Sequence, residues 1–284
     1  MLTDTHAHLD FPDFADDLDA VLARAAAAGV SRILSIGTSV ESSRRAVALA
    51  EKYPQVFAVI GVHPNAAYEA APGFIDELRA LAQSPRVVAI GETGLDYHRV
   101  PSSGEKRIAL DVIGDESPAD IDLAIRDGAM RSTQAIVFEQ QLDLAVELGL
   151  NVVIHERDAW EDTVAIVQNV TGKLRAVFHC FGKSPAHAGE IRALGHLVSF
   201  TGIVTFKNAR DAQETALTVP GDSFMVETDC PFLAPVPCRG KRAEPAHTRT
   251  TAEFIAKLRS ESLETLAAQT TATANAFFRF PTGQ

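Results

Sequence analysis

Short runs rich in β-branched and other apolar residues recur along the chain, at 2–8, 30–38, 56–62, 87–92, 151–155, 175–179, 197–204 and 224–229. Stretches such as VVAIGE and NVVIHE lack polar alternation, as expected of strands buried on both faces. Between the runs lie segments of helical period. Phe14, Leu18, Val21, Leu22 and Ala25 line one stripe of a helix that Gly29 can end. The segments 41–53, 74–83, 134–148, 159–169, 185–194 and 252–259 repeat the pattern, with Thr250 and Glu253 at capping-box spacing, while 211–218 is weakly patterned. Eight strand–helix alternations with no linker and no internal repeat predict an α/β fold. The expected architecture is one closed (β/α)8 barrel filling 1–284 as a single domain, not an open doubly wound sheet.

Residues 98–131 break the rhythm between strand four and its helix, with mixed charges, two prolines and three glycines. An extended loop of this length reads either as a lid or binding loop or as a solvated surface insertion. The net charge of −11 argues against a protein that grips nucleic acid by a broad basic face, so a polyanion would have to be held locally. Cys180, Cys230 and Cys238 are too few for a disulfide scaffold, and MLTDTHAHLD has neither a basic nor an apolar leader region. A cytoplasmic location follows as the expectation, with no membrane and no obligate protein partner called for.

In a barrel, chemistry gathers at the carboxyl ends of the strands. Five of the nine histidines stand there: His6 and His8 after strand one, His63 after strand three, His155 after strand five and His179 after strand six. Glu92 and Asp229 end strands four and eight. His6 and His8, two apart on a strand, point the same way and can bind one cation together. Taken singly, such a pair or a lone His155 reads as well as hydrogen-bonded core histidine. Jointly, imidazoles and carboxylates from five strands meeting at one mouth are costly to bury without a cation. Four imidazoles and two carboxylates exceed what one ion with an open position needs, which points to two divalent ions with Glu92 placed to bridge them. Cys180 and Cys230, each next to a proposed ligand, are expected on the opposite face as packing residues. Nitrogen and oxygen donors suit Mg, Mn or Zn without choosing among them. Two such ions fit water activation for phosphoester hydrolysis, with Asp229 as ligand and general base.

These motifs resemble the TatD-related deoxyribonuclease family of metal-dependent hydrolases nearly end to end. The residues concerned are Asp4-Thr5-His6-Ala7-His8-Leu9, Gly61-Val62-His63-Pro64, Gly91-Glu92-Thr93-Gly94-Leu95-Asp96-Tyr97, Val153-Ile154-His155 with Arg157, His179-Cys180-Phe181, Ser199-Phe200-Thr201-Gly202 and Glu227-Thr228-Asp229-Cys230-Pro231. The resemblance implies a TIM-like barrel and a divalent-metal-dependent nuclease that removes nucleotides from 3′ ends. It further implies that His6, His8, Glu92, His155, His179 and Asp229 are the metal ligands and that His63 lies beside the scissile phosphate. His63 thereby joins Asp229 and Glu92 as a catalytic residue.

The chain departs from the family pattern at Gly182-Lys183, where Ser-Gly is frequent, at Ala243, where Asn is common, and in the length of 98–131. All three bear on substrate choice. Arg157 and the cluster Arg239, Lys241 and Arg242 are the candidate substrate contacts, the cluster reading either as phosphate holders or as a solvated loop. Tyr97 or Trp160 could stack a base, ordinary packing being the simpler role for Trp160. His98, His187, His196 and His247 read as surface residues. The expected activity is therefore a two-metal deoxyribonuclease acting 3′ to 5′ on single-stranded DNA or 3′ ends, and on RNA. The alternative keeps the metal site and changes the bond, to an amidohydrolase-type esterase, lactonase, amidase or aminoacyl-tRNA deacylase. Barrel hydrolases of the phosphotriesterase type bridge their metals through a lysine after strand four, where Glu92 stands here. A catalytically silent scaffold is the third reading, weakened by the intact ligand set.

Overall fold

The computed structural model describes residues 1–100, 102 and 118–281. Among them eight strands form one parallel sheet in sequence order: β1 (Leu2–Ala7), β2 (Val30–Ile36), β3 (Val56–Ile60), β4 (Val87–Asp96), β5 (Asn151–Arg157), β6 (Ala176–Phe178), β7 (Leu197–Phe200) and β8 (Phe224–Val226). Between them run the helices α1 (Leu18–Ala27), α2 (Val40–Lys52), α3 (Phe74–Leu81), α4 (Pro118–Leu148), α5 (Trp160–Gln168), α6 (Pro185–Ala193) and α7 (Arg210–Thr218). After β8 come α8 (Thr248–Leu258) and α9 (Leu263–Phe278). The weakly patterned 211–218 is thus helical.

The ring closes from β8 to β1 mainly through the segment that follows β8. Asp229 N–H donates to His6 O and His8 N–H to Cys230 O, both at 2.8 Å, around a parallel bridge between Ala7 and Cys230. The fully buried carboxylate of Asp4 accepts from Thr228 N at 2.9 Å and from Thr228 Oγ1 at 2.7 Å. Burial pushes this carboxyl up to about 7, against the hydrogen bonds from Thr228 that favour its ionised form.

Along each strand successive side chains enter two different cores, the period-two consequence of the pleat. Ile33, Val152 and Val198 belong to the layer between sheet and helices, whereas Leu34, Val153 and Leu197 join Val59, Val177 and Met225 in the barrel interior. Ala274, Phe277 and Phe278 of α9 complete that interior cluster, and Asn151 Nδ2 donates to Phe277 O at 2.6 Å. Since Asn151 begins β5, α9 stoppers the amino-terminal mouth and leaves the carboxyl ends open for chemistry.

Several boundaries differ from the sequence expectation. The helix after strand four begins at Pro118, not at 134, so the later half of the 98–131 segment is helical; 103–117 lies outside the described residues. No apolar stripe marked this part because residues 122–129 face solvent, with Ile125 65% exposed. β7 stops at Phe200 and gives way to a 3-10 turn over Gly202–Thr205, its first turn closed by Thr201 Oγ1 accepting from Ile203 N. His196, expected at the surface, is only 2% exposed: its Nδ1 accepts from Ala176 N at 3.2 Å and so ties β7 to β6.

Candidate metal centre

Two strands break register where they carry candidate ligands. The β1–β2 ladder shifts between Asp4 and Ala7, around His6, and the β4–β5 ladder shifts between Ile90 and Thr93, around Glu92. Such irregularities re-aim side chains. Beyond Glu92, Gly94 adopts φ +141°, and a Cβ there would overlap the carbonyl oxygen of His155, so only glycine lets β4 pass this close to β5.

Glu92, 2% exposed, stands at the centre of five imidazoles. Its Oε1 lies 2.7 Å from His179 Nε2, 2.8 Å from His155 Nδ1 and 3.7 Å from His63 Nε2. Its Oε2 faces the other way, 3.4 Å from His6 Nε2 and 3.9 Å from His8 Nε2. Asp229 Oδ1 joins this second set, 3.2 Å from His8 Nε2 and 3.7 Å from His6 Nε2. All six expected ligands are therefore brought to one rim, with His63 beside them. Burial pushes the Glu92 carboxyl up, but the imidazoles of His179, His63 and His6 outweigh it and hold it well below the usual carboxylate range. Burial opposes charging His179, yet Glu92 and Glu227 raise its pKa well above the usual imidazole value.

The donor set fits divalent cations. Both ring nitrogens of His6 are buried with no hydrogen-bond partner, and Nε2 looks at two carboxylate oxygens. With metal–ligand bonds of about 2.0–2.2 Å, two donors on one ion stand roughly 3–3.6 Å apart, close to the nitrogen–oxygen spacings of the His6, His8 and Asp229 group. Ligand atoms of His6, His8 and Asp229 all lie within 4.8 Å of one another, as do those of His63, Glu92 and His155 and those of His6, His179 and Glu227. In the last group the carboxylate is already engaged: Glu227 Oε1 accepts from Cys180 N and Oε2 from Ser199 Oγ, each at 2.7 Å.

Sequence reasoning left Glu227 and Asp96 without a role. Glu227 Oε1 lies 3.5 Å from His179 Nδ1, and Asp96 Oδ2 lies 3.4 Å from His155 Nε2. His179 and His155 thus each have a carboxylate behind the far nitrogen, the arrangement that orients metal-binding imidazoles. Both acids sat in quoted motifs, and the signal available was a second carboxylate two residues before Asp229 and four after Glu92. His8 is oriented differently, with Nδ1 3.2 Å from Ile36 O.

The centre opens into a cleft of about 940 Å³ with two unlike walls. Arg99, Arg157 and Lys183 line it on the side of β4 to β6, and Phe11, Ile203, Phe232 and Leu233 line it on the side of β7, β8 and β1. Lys183 Nζ is paired with Glu156 Oε2 at 3.1 Å. Of the candidate substrate contacts Arg157 is among the lining residues, but Arg239 and Lys241 are not. The Arg239 guanidinium instead lies 4.2 Å over the ring of Phe206, Lys241 is exposed, and Arg242 is held by Asp17 and Glu244. Cys180 also departs from expectation. β6 ends at Phe178, strand alternation no longer applies, and with φ 49° Cys180 lines the cleft and shares a hydrogen bond with Thr201 Oγ1 at 3.4 Å. Cys230 is fully buried as a packing residue. Neither proposed base-stacker faces the cleft: Trp160 is buried with Nε1 donating to Glu190, and Tyr97 is covered by Arg131 and bonded to Asp162.

The sequence model of the family described as TatD related DNase matches residues 3–279. The metal-dependent hydrolase YabD of Bacillus subtilis is 38% identical over 280 residues, covering 98% of this chain and 99% of its own. The 3′-5′ ssDNA/RNA exonuclease TatD of Erwinia tasmaniensis is 34% identical over 282 residues, covering 97% and 98%. Among solved structures, the TatD homologue YjjV of Escherichia coli superposes with a TM-score of 0.83 at 28% identity, covering 99% of this chain and 98% of that one.

Proposed function

This chain belongs to the TatD-related DNase family, and from that premise we propose that it is a two-metal phosphodiesterase removing nucleotides from 3′ ends of single-stranded DNA, and of RNA. His6, His8 and Asp229 with Glu92 Oε2 would hold one divalent ion, and His155 and His179 with Glu92 Oε1 the other. The observation that carries this reading is the division of Glu92, whose two oxygens face two separate imidazole sets. Such ions lower the pKa of water and stabilise charge on phosphate oxygens during in-line displacement.

The chain's own groups supply the rest. Asp229 is held ionised by His8 and His6 against the cost of burial, and as a carboxylate it accepts the proton of the attacking water. His63 Nδ1 accepts from Asn65 N at 3.0 Å, which leaves the ring proton on Nε2, the nitrogen turned toward Glu92. Burial pushes this imidazole down to about 3, so the ring is neutral, and in the proposed reaction its Nε2–H, 3.3 Å from His155 Nδ1 here, would turn to a phosphate oxygen once His155 binds an ion. Arg157 and Arg99 bring positive charge to the cleft of an otherwise acidic protein. The three cysteines are free, in keeping with a reducing cytoplasm, and no helix among the described residues is long and apolar enough to cross a membrane.

The test is release of mononucleotides from a 3′-labelled single strand with added magnesium, manganese or zinc. Chelator should abolish it, and Asp229→Asn should lower kcat by about 10²–10⁴, the usual worth of a general base. Full activity in that variant would remove Asp229 as base, and cleavage that survives exhaustive chelation would remove the metal mechanism.

A further inference from the structure

Phe232 is an unusual residue to find at the mouth of a polar site: 50% exposed, aromatic, and part of the cleft lining. Its placement is tightly set. Phe232 N–H donates to Asp229 O at 3.0 Å, so one turn of chain ties its backbone to that of a candidate ligand. Phe11 supports it from behind, ring centroids 5.9 Å apart at 82°, and Phe11 in turn stacks on the imidazole of His8 at 4.8 Å. The Phe232 ring lies 6.3 Å from that same imidazole. A flat apolar surface is thereby held beside a candidate ligand, 6.3 Å from ring centroid to ring centroid, a span on the scale of one sugar.

Building on the phosphodiesterase reading, we propose that Phe232, braced by Phe11, is a stacking platform for the nucleobase of the nucleotide whose phosphate lies at the metal centre. The opposite wall supports this assignment. Arg99 and Arg157, which stand there among Glu69, Glu156 and Asp158 with Lys183 already paired to Glu156, are the cations for the backbone of the chain still attached, leaving the Phe232 side for the terminal base. Stacking uses the face of the ring and no hydrogen-bond code, so the platform accepts any base and discriminates against a sugar without one.

The probe is 2-aminopurine deoxyribonucleoside 5′-monophosphate, a product-like ligand with no diester to cut, titrated into the magnesium- or zinc-loaded protein. Stacking quenches its fluorescence. Phe232→Ala should weaken binding by roughly 5- to 150-fold, the usual worth of one base–aromatic stack, and Phe232→Tyr should restore it. Inorganic phosphate should displace the nucleotide and should bind Phe232→Ala as tightly as wild type. Nucleotide affinity unchanged in Phe232→Ala overturns the platform, as does an equal loss of phosphate affinity, which would mean that the ring acts on the centre itself. Failure of phosphate to compete with the nucleotide in wild type would instead overturn the placement of phosphate at the centre, and the platform with it.

Discussion

Replacing Glu227 by glutamine separates orienting a ligand from being one. The carboxylate is 1% exposed, and its Oε1 lies 3.5 Å from His179 Nδ1 while both oxygens hold fixed donors on Cys180 and Ser199. Glutamine keeps the shape, removes the charge and turns an N–H toward one of those donors. A full charge at this spacing corresponds to about 5 kcal/mol at an effective dielectric of 20. That figure is an upper bound, because the charge is removed behind the ring and the neutral side chain is cheaper to bury. Outer carboxylates of metal-bound histidines are worth about 10–100-fold in metal affinity, roughly 1.4–2.7 kcal/mol. Half-saturating metal concentration should rise by that factor, with kcat recovered at high metal. The metal-induced gain in stability should shrink by the same free energy, which for a chain of this size is roughly 2–5 °C of Tm. The metal-free variant should melt below metal-free wild type by a separate amount, since a buried donor on Cys180 or Ser199 then meets the amide N–H and His179 loses one of its two carboxylates, so each protein's metal-induced shift is read from its own metal-free baseline. Thermal melts with and without zinc read both quantities. A metal-induced shift identical in variant and wild type would refute the orienting role and leave Glu227 to the fold alone.

Two further outcomes follow from the barrel. Burial, helped by the neighbouring Arg175, pushes His196 down to about 4 in the folded state against 6.5 when exposed. Its contribution is complete above pH 6.5 and is lost as acid protonates the unfolded chain first, up to roughly 3 kcal/mol by pH 4. Urea melts across that range should show His196→Asn with a flatter pH dependence, and parallel curves would refute it. Phe277→Ala at the amino-terminal mouth should cost about 3–5 kcal/mol by opening a cavity in the barrel interior, measured by urea denaturation. A loss under about 1 kcal/mol would show that α9 does not stopper the barrel.

Strand positions were legible because a strand buried on both faces must be continuously apolar, and the residues that end each run were legible because chemistry in such folds gathers there. His6, His8, Glu92, His155, His179 and Asp229 could be picked from one chain for that reason. α9 was passed over because Ala and Thr dominate it, and its apolar residues Ala274, Phe277 and Phe278 make sense only against the barrel mouth. Cys180 and His196 were misread because alternation predicts facing only while the strand lasts, and burial depends on what packs above.

What the linear order of residues specifies here is which groups are available: eight buried strands and a set of nitrogen and oxygen donors at their ends. What it leaves open is how atoms from distant segments pair. That Oε1 and Oε2 of Glu92 serve different imidazoles, that Glu227 and Asp96 stand behind His179 and His155, and that Phe232 and not Tyr97 reaches the cleft all depend on closure of the ring. Periodicity records a side chain's relation to its own strand or helix, whereas these contacts arise between strands whose separation is set by the whole barrel.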